Sequence, residues 1–469
     1  MEETSTIDIK SINEKIEKES AFVDLLTYPF SWILPMLIIA IILFLGLIFF
    51  GISYGKLTFK GIAKGGIPFL VSLLIAPAIA FGLWKLLLII HPQYQDILHG
   101  FTYNGYQYII AFTCLTLYIL FVVYNRFFKT IATADLFIIP IAFWLLINGL
   151  IYTYLQGAGF FILPVFIALF ILAILIFMNI RTTSKPILIA FLTIPIIFIF
   201  APLIKMFPVG LGLKNLWISS LFIVLVFTLL VPIFHQQKTK NNLQFITGFL
   251  TILFFGIATF NSGFSSEKKK PNSLVFIQDA ESKTSYWVTH NKTLDGYTKQ
   301  IFDTNYQQDN FPLDAGKSKY NTSFNFYKKS EEKNIKTSKI TVLKDTIFNA
   351  KRHLKLTINP TRKINKYELF TTDFLTLTNF TVNGTLYDNG KPFTAKKGTL
   401  LIYQMANTDK DLTVEFSIDD TINPELILNE ISYDLLSHPK FNIKPRSEIM
   451  MPMPFVINDA IICSQKIKL

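Results

Sequence analysis

The chain has 469 residues, 51% of them hydrophobic, with a mean hydropathy of +0.42, which is too apolar for an ordinary soluble enzyme. Its net charge of +12 does not describe a nucleic-acid binder, because the positive residues sit in short loops between apolar stretches or are mixed with acids rather than forming one stripe. Two cysteines, Cys114 and Cys463, offer neither a disulfide framework nor a CxxC metal knuckle.

In chain order, residues 1–29 come first, with seven acids and three lysines. They lack a basic start and an early apolar run, so they read as an acidic extracytoplasmic tail rather than a cleavable signal peptide. Residues 30–264 then carry only 12 Lys or Arg and two acids, Asp96 and Asp135. About 20 apolar residues cross ~30 Å of hydrocarbon. Eight such runs fall at roughly 30–52, 67–90, 105–124, 134–154, 159–180, 186–204, 215–234 and 243–262. They predict a membrane α-helical bundle over 30–262. A Gly-containing turn, Leu155 to Gly159, joins the fourth and fifth runs, and Pro35, Pro77, Pro140, Pro164 and Pro195 predict kinks.

Loop charge predicts orientation. The odd loops hold nine basic residues: Lys56, Lys60, Lys64, Arg126, Lys129, Arg181, Lys185, Lys238 and Lys240. The even loops hold two, Lys205 and Lys214. The odd loops are therefore expected in the cytoplasm, and both termini outside it. The abundance of Lys, Ile, Asn and Phe fits the inner membrane of a low-GC bacterium.

Ionisable groups inside apolar spans are costly and so are candidate functional residues. Lys85 lies near the outer end of the second span and can extend its amine to the surface; Asp135 opens the fourth span at its cytoplasmic end. The second loop, His91-Pro92-Gln93-Tyr94-Gln95-Asp96-Ile97-Leu98-His99-Gly100-Phe101, adds His91, Asp96 and His99. It reads as an interfacial loop, as a docking point for an external domain, or as a metal site, although its spacing matches no zinc pattern.

Residues 265–469 carry 29 Lys or Arg and 23 acids, and read as a soluble, mainly antiparallel β-sandwich-like extracytoplasmic domain. Expected strands are Leu274–Gln278, Tyr286–His290, Lys339–Leu343, Leu354–Ile358, Leu375–Val382, Thr399–Gln404, Leu412–Ile418 and Glu425–Tyr433. Asn383-Gly384 predicts a hairpin turn. A short helix is expected at Leu294–Ile301, and a packed extended segment at Met450 to Phe455. No GxSxG, HExxH, Gly-rich phosphate loop or EF-hand occurs.

Three stretches carry a family resemblance: HPQYQDILHGFTYNGYQY from His91, PNSLVFIQDAESKTSYWVTHNKTLDGYTKQIF from Pro271, and MMPMPFVINDAII from Met450. They resemble the membrane and C-terminal portion of multi-pass zinc aminopeptidase-like metallopeptidases, the group of the endoplasmic-reticulum metallopeptidase and the vacuolar membrane protease. The resemblance implies eight spans, a C-terminal domain, and an extracytoplasmic peptidase domain holding two zinc ions through His, Asp and Glu. The first 29 residues are too few for that peptidase domain, and its zinc-ligand motif is absent from this sequence. No catalytic or metal-binding residue is therefore carried over, and zinc is expected only in a separate or missing peptidase domain.

The expected function is a non-catalytic membrane anchor and accessory module that docks or orients such a peptidase. The alternative is a multi-pass transporter or channel using Lys85 and Asp135. The two halves of the bundle show no evident repeat of broken helices, which counts against transport. The expected partners are the bilayer and a peptidase domain or chain.

Overall fold

A computed structural model describes residues 28–178, 184–236, 240–313, 315–316, 322–372, 374–395, 398–467 and 469. The acidic tail up to residue 27 and the basic residues Arg181 and Lys238 lie outside this set. The chain divides into two compact units, Met1–Leu86 with Asn104–Asn261 and Leu87–Tyr103 with Ser262–Leu469.

The first unit holds helices α1 (Ile33–Ser53), α2 (Phe59–Ile90), α3 (Gly105–Phe127), α4 (Thr133–Tyr154), α5 (Leu163–Phe177), α6 (Ser184–Leu211), α7 (Leu216–Gln236) and α8 (Lys240–Phe260). Among the described residues, eight helical stretches are long and apolar enough to cross a membrane. Two run further than hydropathy alone suggests. α2 starts at Phe59, so Lys60 and Lys64 lie in its first turns rather than in a loop. α6 continues past Lys205 through Pro202 and Pro208 to Leu211; the Lys205 amine lies over the Tyr106 ring at 5.3 Å.

Apolar side chains on all sides of these helices leave packing to size and shape. Trp144 of α4 is buried between Phe161 and Phe200, with ring centroids 5.9 and 5.0 Å away, and its Nε1–H donates to the Leu225 carbonyl. Asn148, one turn on, donates both N–H groups of its side-chain amide to the carbonyls of Trp144 and Phe161, so its NH2 is satisfied inside the core. α3 and α8 are tied at both ends. Asn104 donates to the Ala258 carbonyl and Asn261 to Gln107 at one end, and Asn125 donates to Gln244 at the other.

The second unit contains strands β1 (Lys270–Asn272), β2 (Val275–Asp279), β3 (Thr284–Thr289), β4 (Phe326–Ser330), β5 (Lys339–Phe348), β6 (Lys351–Asn359), β7 (Lys366–Thr371), β8 (Leu375–Val382), β9 (Thr385–Leu386), β10 (Phe393–Ala395), β11 (Gly398–Gln404), β12 (Leu412–Asp419), β13 (Leu426–Ser432), β14 (Met450–Pro452) and β15 (Ala460–Ile467). One sheet runs β11-β7-β13-β15-β2-β3-β4; another runs β10-β8-β12-β6-β5, with β9 paired to β8. Pairing is antiparallel except at β15–β2 and β1–β14, which are parallel. One apolar cluster takes Leu354 and Leu356 of β6 and Val414 of β12 together with Leu369 of β7 and Leu428 of β13, so the two sheets share a core. Asn383 and Gly384, at φ 48° and 79°, form the expected turn between β8 and β9.

The expected helix at Leu294–Ile301 shrinks to a single 3-10 turn, Thr298–Gln300. Asp295 explains this: its carboxylate accepts the N–H groups of Tyr297 and Thr298, an Asx-type turn that competes with a helix over the whole segment. The Met-Pro run is extended and packed only in its first part: β14 pairs with β1, and Met453 is buried with its N–H on the Asn272 carbonyl, but Pro454 and Phe455 form a turn in which Phe455 is exposed at φ 69°.

Candidate functional site

The second loop is part of the β-rich unit. It leaves α2 at Ile90 and turns through a 3-10 segment, Pro92–Asp96, with proline at its first position, where no N–H is needed. This delivers Asp96, fully buried, onto the loop that follows β3. Oδ1 accepts the N–H groups of Lys292 at 2.6 Å and Thr293 at 3.4 Å. Oδ2 accepts the Thr293 hydroxyl at 2.6 Å and lies 3.4 Å from the Lys270 amine.

Lys270, itself buried, carries the network onward. Its amine is 3.2 Å from Asp295 Oδ2, which also accepts Asn272 Nδ2–H. Asn272 Oδ1 accepts the Arg446 Nε–H at 2.5 Å, and Arg446 holds Asp459 through two N–H···O bonds of 2.6 and 2.7 Å while lying 4.3 Å over the Tyr297 ring. Burial pushes the Asp96 carboxyl above its ordinary range, against the opposing pull of Thr293, Lys270 and the Lys292 and Thr293 N–H groups. Burial acts on Asp295 too, but there the Thr298 N–H, Lys270 and Asn272 outweigh it and hold the carboxyl below the usual range.

The five sequence candidates separate. Asp96 heads the network. His91 is buried, packs against Tyr94 at 5.1 Å between centroids, and is pushed down in pKa by burial. His99 is exposed and lines a small apolar cleft instead. Lys85 is exposed, its amine 5.2 Å from the centre of the Phe81 ring. Asp135 is buried at the start of α4, where Oδ1 accepts the Thr58 N–H at 3.2 Å beside Gly61 and Gly65. Thr58 and Lys85 are 27 positions apart in the sequence. At ~1.5 Å per helical residue, that separates Asp135 from Lys85 by roughly 40 Å. No group of three or more His, Cys, Asp or Glu side chains suited to a metal converges among the described residues.

Lys270, Asn272, Thr293, Asp295, Arg446 and Asp459 do not stand out in the sequence. Each looks like an ordinary loop or surface polar residue. The available signal was that five of the six fall within or beside the stretches on which the family resemblance rests: Lys270 beside the second, Asn272, Thr293 and Asp295 inside it, and Asp459 in the third. The network brings residues of all three stretches together.

A second buried polar group braces the seven-stranded sheet. Gln278 of β2 binds both the N–H and the carbonyl of Ile335, Glu430 of β13 accepts the Ser338 N–H, and Gln465 of β15 donates to the Ser338 carbonyl and to Glu430. Side chains here stand in for a neighbouring strand along 335–338. Burial raises the Glu430 carboxyl, the bonds from Ser338 and Gln465 and the charge of Arg362 opposing it.

No protein-family model matches the chain, and no curated protein matches it. Among solved structures it is similar to the Fcho1 Mu homology domain of Danio rerio with bound Eps15 peptide. Identity is 8%, over 42% of this chain and 94% of that one, with a TM-score of 0.18. A likeness that slight carries nothing over to this chain.

Proposed function

We propose that the chain is a multi-pass membrane protein serving as a non-catalytic anchor and accessory module for a zinc-dependent exopeptidase. In this reading eight helices cross the bilayer. The second loop and the C-terminal sandwich-like region form one extracytoplasmic body that docks or orients the peptidase. The observation that carries the reading is the Asp96 network, in which the three stretches resembling the metallopeptidase group meet. Parity supports it as well: six helices, α3 to α8, separate the second loop from Ser262, so if all cross, the two emerge on one face. The wide separation of Lys85 and Asp135 counts against a transport path using both.

Affinity purification of the tagged chain from its native membranes tests the proposal. A zinc peptidase is expected among the retained proteins, and less of it should be retained when Asp96→Ala loosens the second loop. Repeated recovery with no peptidase would sink the idea.

A further inference from the structure

We propose that the second unit holds an anionic phospholipid, with an acyl chain in the cleft beside His99 and the headgroup on Lys268 and Lys269. The proposal rests on the membrane reading above. The cleft has a volume of about 310 Å³, at the small end of ligand sites, and is walled by Ile97, Leu98, Phe101, Pro271, Met451 and Pro454. Its walls are apolar, and the second loop and the Met-Pro segment supply most of them.

Residues of this cleft lie close in sequence to the ends of two apolar helices. Tyr103 lines it two residues before α3 begins at Gly105, and Tyr103 also meets Phe264, four residues after α8 ends at Phe260, with centroids 6.3 Å apart. Tyr is enriched where spanning helices meet the bilayer surface. The Tyr103 hydroxyl donates to the Lys269 carbonyl at 2.9 Å, which fixes the Lys268-Lys269 segment beside the cleft wall. Lys270 next to them is committed to Asp96 and Asp295, whereas Lys268 and Lys269 are half-exposed. Glu267 is the one acid in the same run, so the segment carries net positive charge, as an anionic headgroup requires. Basic residues at this level attract anionic lipid.

The test uses the full chain, purified from nanodiscs of mixed phosphatidylcholine and phosphatidylglycerol into a neutral detergent, with retained lipid read by native mass spectrometry. The wild type should keep one phosphatidylglycerol in preference to phosphatidylcholine. Leu98→Trp, which fills the cleft, and the pair Lys268→Glu with Lys269→Glu, which reverses the headgroup charge, should each lower retention about tenfold. Unchanged melting of the charge pair separates lost binding from lost fold. Equal retention of both lipids, or retention unaltered in both variants, would overturn the site. Alkaline extraction of native membranes is run alongside: release of the chain without detergent would overturn the membrane reading itself, whatever the lipid result.

Discussion

Among the described residues, the hydrogen-bond and ion-pair partners of Asp96 are all donors: two backbone N–H groups, a hydroxyl and an ammonium. Asp96→Asn turns an acceptor-only group into one that must direct an NH2 at another donor, and it leaves Lys270 with Asp295 as its one carboxylate partner. Breaking a buried pair from one side costs about 3 kcal/mol. Denaturant unfolding of the detergent-solubilised chain should show a loss of that order, with a smaller further loss when Lys270→Met is added. An Asp96→Asn midpoint indistinguishable from wild type would contradict the arrangement.

His290 offers a pH-dependent counterpart. Its Nδ1–H donates to the Ser323 carbonyl, the ring stacks on Phe324, and burial, with the nearby Lys292 charge, pushes its pKa down to about 4 from 6.5. The unfolded chain therefore takes up the proton first. The contribution of neutral His290 is complete above pH 6.5 and is lost as pH falls towards about 4, amounting to roughly 3 kcal/mol. Asp96 and Glu430 have raised pKa values and act with the opposite sign, so the readout is the difference between wild type and His290→Gln across that window. A difference that does not change with pH would refute the assignment. Asp96 and the two histidines of its loop stood out in the sequence because charge is scarce there. Lys270 and Arg446 did not, because lysines and arginines are common in that half and burial leaves no mark on residue type.

Elements were legible where one physical signal dominated. Runs of apolar residues revealed the eight helices, but their ends depended on whether a charge could remain helical: Lys60, Lys64 and Lys205 all do. β4, β7 and the central strand β15 lie outside the strands expected from the sequence. Lys366 and Glu368 of β7 are buried, their charged atoms 2.5 Å apart, and Gln465 of β15 turns inward to brace 335–338. Alternation assigns such residues to solvent. Two glycines of α2 lie against Asp135. A Cβ on Gly65 would lie 2.4 Å from the Asp135 carbonyl oxygen, and one on Gly61 would lie 2.1 Å from Asp135 Oδ2. The obstacle at Gly65 is backbone, which cannot swing aside. Gly65→Val should therefore destabilise by about 1–3 kcal/mol, against little change for Gly46→Val, where nothing lies within 4 Å. Thermal melts of the two variants in one detergent check this, and equal melts would refute the close approach.

At the scale of the whole molecule, orientation is the prediction with most consequence. Gln95, Lys129 and Lys410 are exposed, and both native cysteines are buried. With an impermeant maleimide applied to intact cells, Gln95→Cys and Lys410→Cys should label directly, and Lys129→Cys only after permeabilisation. Labelling of Gln95→Cys and Lys410→Cys from opposite sides would refute the parity argument. The two-part division was plain in the charge distribution. That the second loop belongs with the C-terminal region was not, since it depends on contacts between residues nearly 200 positions apart, such as Asp96 with Thr293.

That separation acquires a meaning in time. A ribosome adds roughly 5–20 residues per second, so Asp96 emerges tens of seconds before Arg446 and Asp459 exist. Strand β15 is made last of the fifteen, yet it lies between β13 and β2 in the seven-stranded sheet. Until it arrives, β2 and β13 each expose an unpaired edge, and the second loop has no completed body to join. The second unit therefore cannot close as it is made, and its open edges need shielding until β15 has been added.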